Sequence, residues 1–373
     1  MLKRLLKVIL VLVLLVIVGV IAFVVTLQVT EYVPAETEIL TVATPDGYVG
    51  TEVTIGATIK IMTWNIGYGS LSATEDFVMD GGVKGRMDSE AEVTANLDAI
   101  AGVLTTQTAD IYFLQEVDEA SNRSYDTLQY TRFTDLFAMP VSYGLNYRCR
   151  FVPFPFEIGQ MMGNVTSGIV TAADFTVESA TRHQLPGAFA WPIRLANLKR
   201  CIVVTRLPVA GSDHKLVLIN VHLSAYDDGT MRLQEMAALK TIMGAETDAG
   251  NYVIVGGDFN QTFPNAVTYT DDGEGNLVPS YLYELKDPTY WQAYGMDGTW
   301  FAANGWHYGV DTSHPTCRLL NHPLDTLEPA NNQYYLIDGF LVSGNIAIEL
   351  VTTLDLAFAN SDHNPVVMSF HLM

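Results

Sequence analysis

Eight polar residues at or near strand ends carry most of the chemistry that this sequence offers. Asp258 and Asn260 stand in YVIVGGDFNQ, where Tyr252 to Val255 form a continuous apolar run of strand-type residues. Gly256 and Gly257 read as the end of that strand, because glycine alone leaves room for a sharp turn and close backbone approach. Asp258 and Asn260 are two residues apart and so directed to the same side. A carboxylate and an amide at a rigid strand end suit water activation and phosphate hydrogen bonding, although a plain turn after a core strand uses the same residues. Asn65 follows IKIMTW, Glu116 follows IYFLQ, and His222 follows KLVLINV. Taken singly, these are a strand exit, a solvated carboxylate and a structural histidine. Asp338 lies within the apolar string YYLIDGFL, where an unpaired charge is costly, so it requires a partner. Asp362 and His363 lie in SDHNP, just before a last strand from Val366 to Phe370.

The elements that must position these groups follow a recurring order. A strand over Ile59–Trp64 is followed by Ser89 and Glu92, a capping-box pair ahead of a helix whose buried face is Val93, Leu97, Ile100 and Leu104. Ile111–Gln115 is the next strand and delivers Glu116. The same order recurs as Lys215–Val221 with His222, a helix over Met231–Ala245 with Met231, Met236, Leu239 and Met243 on one face, and the strand before Asp258. Gly168–Thr171 and Cys201–Thr205 are further strands. Residues 121–165 are rich in Tyr, Phe and Pro and read as aromatic-walled loops, in which Arg123, Tyr143, Asn146 and Asn164 either line a substrate pocket or pack in core and rim. Residues 262–333 read as surface loops with short helices, and Arg182 and Arg194 have no assignable role.

The chain of 373 residues has ample length for one large domain with a full core or for two smaller ones, and no composition shift within the body marks a second boundary. It carries 20 basic against 41 acidic residues; setting aside Lys3, Arg4 and Lys7 leaves 17 against 41, a charge of -24. So acidic a body is not built for tight nonspecific nucleic-acid binding, which relies on neutralising phosphates, and it suits attraction of divalent cations. Cys149, Cys201 and Cys317 have no metal-type spacing and read as free thiols. Val8 to Val25 is apolar throughout and long enough to cross a bilayer. Basic residues precede it and none follows until Lys60, which places the N-terminus in the cytoplasm and the body outside. The apolar stretch is longer than that of a cleaved signal peptide, and no small-x-small site follows Val25, so an uncleaved anchor is expected. The expected organisation is a basic N-terminus (1–7), a membrane helix (8–27), an acidic linker (28–58) with the turn Pro45-Asp46-Gly47 that reads as a tether, with or without short strands, and one body (59–373). Sequons at Asn122, Asn164 and Asn260 would put a glycan on a candidate site residue in a eukaryotic secretory route, which favours a bacterial exported protein.

In order, TWN, LQE, NVH, GGDFN, IDG and SDHNP resemble the motifs of the endonuclease/exonuclease/phosphatase superfamily, the deoxyribonuclease I-like fold, over about Ile59 to Phe370. That family includes abasic-site endonucleases, neutral sphingomyelinases and inositol polyphosphate 5-phosphatases, and the chain is closest in character to its bacterial membrane-anchored members. The resemblance implies a four-layer α/β sandwich of two packed mixed sheets with outer helices and a site at one sheet edge. By the same resemblance, Glu116 is the main carboxylate ligand of Mg²⁺ (or Mn²⁺), with Asn65 beside it and Asp362 holding a second metal or its water shell. Asp338 orients His363, Asp258 orients or deprotonates the attacking water, Asn260 hydrogen-bonds phosphate, and His222 donates to a nonbridging oxygen or the leaving group. Magnesium keeps several waters, so few protein oxygens suffice. The implied activity is metal-dependent phosphoester hydrolysis by in-line attack of water on phosphorus.

Residue types leave the substrate open among extracellular DNA, a phospholipid head group and a small phosphate ester, with anchor and acidity leaning to the latter two. Arg123, Arg148, Arg150, Arg182 and Arg318 are the candidates for a local basic cleft. Beyond the bilayer that receives the anchor, no obligate protein partner is inferred, and a monomer is expected. The reading from a different class is a noncatalytic surface-binding protein that retains the fold. The complete set of candidate site residues argues against it.

Overall fold

The computed structural model describes residues 1–157 and 159–373. Among these, two seven-stranded mixed sheets pack face to face with helices outside, the expected four-layer sandwich. The N-terminal helix α1 (Leu2–Val29) is followed by β1 (Thr37–Ile39), β2 (Val42–Ala43), β3 (Ile59–Asn65), α2 (Glu90–Thr106), β4 (Ile111–Asp118) and α3 (Gln129–Phe137). Next come β5 (Val141–Val152), β6 (Gly163–Ala173), β7 (Ser179–Gln184), β8 (Cys201–Pro208), β9 (Lys215–His222), α4 (Thr230–Asp248) and β10 (Tyr252–Asp258). The chain closes with α5 (Gly298–Ala303), β11 (His307–Gly309), β12 (Asp338–Val342), β13 (Ile346–Thr353) and β14 (Val366–Leu372). One sheet runs β1-β7-β8-β9-β10-β12-β11 and the other β13-β14-β3-β4-β6-β5-β2.

The two strand–helix–strand repeats read from the sequence are the two parallel pairs, β3 with β4 across α2 and β9 with β10 across α4. In α2, the Ser89 side chain accepts from Glu92 N–H, and Val93, Leu97, Ile100 and Leu104 are buried. Between the sheets lie Ile61, Phe113, Leu218, Ile254, Phe340 and Met368, all fully buried. Strands that are covered on both faces read as unbroken apolar runs, as β9 and β10 do. Polar links also cross the sandwich: Gln115 Nε2 donates to Asn220 Oδ1 at 2.8 Å, and Asn220 Nδ2 to Val170 O at 2.8 Å. Motif residues that do not face the site thus tie the two sheets together beneath it.

Four expectations need correction. Gly256 and Gly257 do not end their strand; β10 runs through Asp258. Gly257 has φ +143 and lies so close to the Val221 carbonyl that a Cβ would collide with it, so glycine is required inside the strand. Asp338 opens β12 instead of lying within a strand, because Leu336 and Ile337 separate it from Tyr334–Tyr335. Residues 121–165 are mostly regular: α3, β5 and the start of β6 occupy them, the aromatic and arginine side chains of β5 having obscured its alternation. The segment 28–58 is no free tether. Its β1 pairs with β7 and its β2 with β5, and Val53 is fully buried with its N–H donating to Pro208 O.

The three cysteines are free, as expected, and all are buried.

Candidate active site

Register places the first three groups. In the first sheet Asp258 of β10 lies opposite His222 of β9 on one side and Asp338 of β12 on the other. Asn65 ends β3 in the second sheet, level with Gln115 of β4. Glu116 then sits where the β4–β6 register slips between Leu114 and Val117, with φ +54. Such bulges re-aim a side chain away from the strand's alternation. The 361–365 loop arrives from above, fixed by Trp64 Nε1 donating to His363 O at 2.8 Å and by Ser361 Oγ donating to Asn65 O at 2.7 Å. All eight candidate residues converge on one end of the sandwich.

The contacts within the cluster are specific. His363 Nδ1 meets Asp338 Oδ2 at 2.8 Å, which gives Asp338 the partner its burial demanded. Reactive atoms of Asp258, Asp338 and His363 all lie within 4.8 Å of one another. Asn65 Nδ2 bridges Glu116 Oε1 and Asp258 Oδ2, each at 3.1 Å, while its Oδ1 accepts from Gly67 N–H. Asp258 Oδ1 accepts from Asn260 N–H at 2.9 Å, and Asn260 Nδ2 donates one hydrogen to Leu223 O at 2.8 Å, leaving its second for another acceptor. His222 Nε2 is 3.5 Å from Asp258 Oδ2 and 3.8 Å from Glu116 Oε1, and its buried Nδ1 has no partner.

Burial and like charge push the carboxylates up. Burial, with the neighbouring Asp338, raises Asp258 to about 6 against the opposing pull of His363. Burial raises Asp362 to about 7, with His363 opposing and Glu116 adding to the shift. Burial alone would push His363 down, but Asp338 above all, with Asp362 and Asp258, holds it well above the ordinary histidine range. His222 goes the other way: burial, then Arg200 and His363, drive it well below that range, so it is neutral. One imidazolium and one neutral imidazole therefore face a surplus of carboxylates. Pairs of groups pushed in opposite directions are characteristic of acid–base sites.

Glu116 and Asp362 reach the cavity beside Asp258, so the cluster offers hard carboxylate oxygens with insufficient cationic charge to balance them. That donor set fits Mg²⁺ or Mn²⁺. Cys317 lies near Asp362 and His363, but burial pushes its thiol up, so no thiolate competes. Asn65 would join such a site through the remaining lone pair of Oδ1. In the present arrangement it holds the two carboxylates together instead.

Several supporting residues carried no sequence signal. Thr316 Oγ1 accepts from the N–H groups of Ile337 and Asp338 at 3.0 and 3.1 Å and fixes the start of β12. Glu235 on α4 accepts from Ser224 N–H and Oγ, anchoring the turn after His222. Arg200, Tyr226 and Asp80 also line the cavity. Of the proposed basic residues, Arg123 and Arg318 do so, but Arg123 is spent on Asp118 through two bonds of 3.0 and 2.8 Å. Arg318 is buried and donates to the carbonyls of Ser72 and Glu75. Arg182 is buried on β7, donating to Leu145 O and Lys199 O, and Arg148 and Arg150 project from β5 into solvent. No basic cleft forms from this set.

Comparison with known proteins bears on the fold and the family. None of the curated proteins matches the chain. Among solved structures, an endonuclease/exonuclease/phosphatase from Beutenbergia cavernae is similar with a TM-score of 0.53 and 17% identity, over 84% of this chain and 72% of that one. Family proteins from Bacteroides thetaiotaomicron and Bacteroides vulgatus each give 0.50, at 12% and 14% identity, over 85% of this chain and 98% and 100% of theirs. At such identities the likeness concerns the fold. The family model described as Endonuclease/Exonuclease/phosphatase family matches residues 62–367, a span that holds all eight candidate residues. The chain belongs to the endonuclease/exonuclease/phosphatase family.

Proposed function

We propose that this protein is a divalent-metal-dependent phosphoester hydrolase, held on a bacterial membrane by residues 8–27 with its catalytic body, 59–373, outside the cell membrane. Members of the family hydrolyse phosphoesters, and the observation that carries the reading here is the buried His363–Asp338 pair set against Asp258 and Glu116. Bound at Glu116, with Asn65 and Asp362 beside it, Mg²⁺ or Mn²⁺ would neutralise phosphate charge and polarise the phosphorus centre.

The chain's own residues supply the remainder. Asp258 orients the attacking water and takes its proton, its affinity for that proton enhanced by burial. Asp338 keeps His363 protonated and aligned, so that Nε2–H is presented to a nonbridging phosphate oxygen. Asn260 adds its free amide hydrogen to the same group, and neutral His222 donates from Nε2 to a second oxygen or to the departing alcohol. The buried walls exclude bulk water, which strengthens each of these contacts.

The test is hydrolysis of bis-p-nitrophenyl phosphate by the full chain in detergent, with Mg²⁺ or Mn²⁺ and again with EDTA. EDTA-sensitive turnover that disappears in Glu116→Gln and His363→Ala, both still folded, is the expected result. Full activity in those two variants would refute the assignment of the site.

A further inference from the structure

The catalytic cluster occupies one end of a cavity of about 640 Å³ whose other end is walled by α1, the helix long enough to span a membrane. Glu116, His222, Asp258 and His363 line the polar end, while Phe23, Val24 and Leu27 line the other. Those three residues form the one side of α1 that is not fully exposed, and they pack with Tyr147, Val152, Met162 and Leu195 of the body. The seating is fixed by polar contacts in and just past the last turn of the helix: Trp191 Nε1 donates to Gln28 Oε1 at 3.1 Å, and Lys199 Nζ donates to Glu31 Oε1 at 2.9 Å. Cavity and helix therefore keep one geometry.

That geometry sets the depth of the opening. With residues 8–27 spanning the hydrocarbon, Phe23 lies about 6 Å inside its outer boundary at 1.5 Å per residue. Around the mouth, Phe156, Trp191 and Ile193 expose 83%, 59% and 59% of their surface, and Phe23 meets Phe151 edge to face. Exposed aromatic and aliphatic side chains beside a membrane helix belong at the bilayer interface. A water-soluble ester would leave the apolar half of the cavity without a partner, and a polyanion would find Arg123 and Arg318 already engaged and Arg200 the one other arginine on the wall among the described residues.

We infer that the substrate is a membrane lipid carrying a phosphoester head group, drawn sideways from the outer leaflet so that its tail lies against α1 and its phosphate reaches Glu116 and His363. This rests on the phosphohydrolase reading of the same site. Water adds to phosphorus, the bond from phosphorus to the leaving alcohol breaks, and that alcohol departs with a proton.

The experiment uses the full chain in vesicles of phosphatidylethanolamine and phosphatidylglycerol, with Mg²⁺ and two esters sharing one chromophore. These are soluble bis-p-nitrophenyl phosphate and membrane-embedded hexadecyl p-nitrophenyl phosphate. The rim variant Phe156→Glu/Ile193→Glu alters exposed residues away from the chemistry. It should lose at least tenfold on the hexadecyl ester and keep its rate on the soluble one. A phosphatidylglycerol with a photoreactive tail should crosslink to peptides holding Met162 and Leu195, inside the cavity and off the helix. Turnover of the soluble ester without preference for the lipid ester, or equal losses on both in the rim variant, overturns the inference and leaves the hydrolase standing. Turnover of neither ester with crosslinking intact refutes the hydrolase reading and retains the lipid site. Absence of crosslinking at both peptides refutes the lipid site.

Discussion

Replacing Asp338 with Asn separates charge from shape at the centre of the site. The two side chains are nearly isosteric, and the Asn carbonyl still accepts from His363 Nδ1–H where Asp338 Oδ2 now does at 2.8 Å. What is lost is the negative charge that holds the imidazole protonated against burial. At an effective dielectric of ~20, two unit charges ~4 Å apart interact by ~4 kcal/mol. At ~1.4 kcal/mol per power of ten, that corresponds to a loss of about a thousandfold in kcat/KM at neutral pH, and misorientation of the ring raises it towards ten-thousandfold. The stability change has a sign that can be checked. His363 has a raised folded-state pKa, so its pairing stabilises the fold fully below its unfolded value of about 6.5 and ceases to do so as pH rises through the folded value. The gap in Tm between wild type and Asp338→Asn should therefore be widest in acid and narrow towards alkaline pH. Turnover of bis-p-nitrophenyl phosphate from pH 5 to 10 and parallel thermal melts provide both readouts. A variant within tenfold of wild type at pH 7, or a Tm gap that widens with pH, would refute the role given to this pair.

Mg²⁺ should raise the Tm of the wild type, and Glu116→Gln should keep the metal-free Tm and lose that rise, as followed by intrinsic fluorescence. Asp362→Asn addresses a carboxylate raised from 3.8 to about 7, which retains a proton when folded that the unfolded chain releases. That group lowers stability progressively as pH rises from about 4 to about 7, so the variant's Tm advantage in EDTA should grow across that window and then level off. An advantage confined to acid would contradict the environment assigned to Asp362. Gly257→Ala places a Cβ against the Val221 carbonyl at φ +143 and should destabilise by roughly 3 kcal/mol or more, or prevent folding, as read by urea denaturation. A loss below about 1 kcal/mol would mean that the β9–β10 contact yields readily.

Much of this was legible in the sequence because local patterns report local structure. The capping box at Ser89 and the apolar spacing after it define α2, and the apolar runs before His222 and Asp258 define β9 and β10. The candidate residues stood out because each lies at or near the end of an apolar strand run, and register alone then brings Asp258 beside both His222 and Asp338. Supports that act across long separations left no such mark. Thr316 holds the start of β12 from 22 residues away in sequence, and Glu235 holds the His222 turn from a helix that reads only as an apolar face. The arginines misled for a related reason. Arg182 and Arg318 look like phosphate ligands in a string of letters, but their guanidinium groups are spent on backbone carbonyls. The seating of α1 on Leu195 and Met162 is likewise a tertiary fact that hydropathy does not contain.

The strands of segment 28–58 also bear on what becomes of the body if it leaves the membrane. β1 pairs with the outer side of β7 and β2 with that of β5, so a single strap covers one margin of each sheet. Cleavage ahead of Thr37 would release a domain with both margins still paired. Cleavage after Ala43, with loss of the strap, would bare the backbone of β7 and β5 together, and open edges recruit strands from other molecules. The short strap Thr37–Ala43 thus decides whether a body released from its helix keeps both sheet margins covered or bares them.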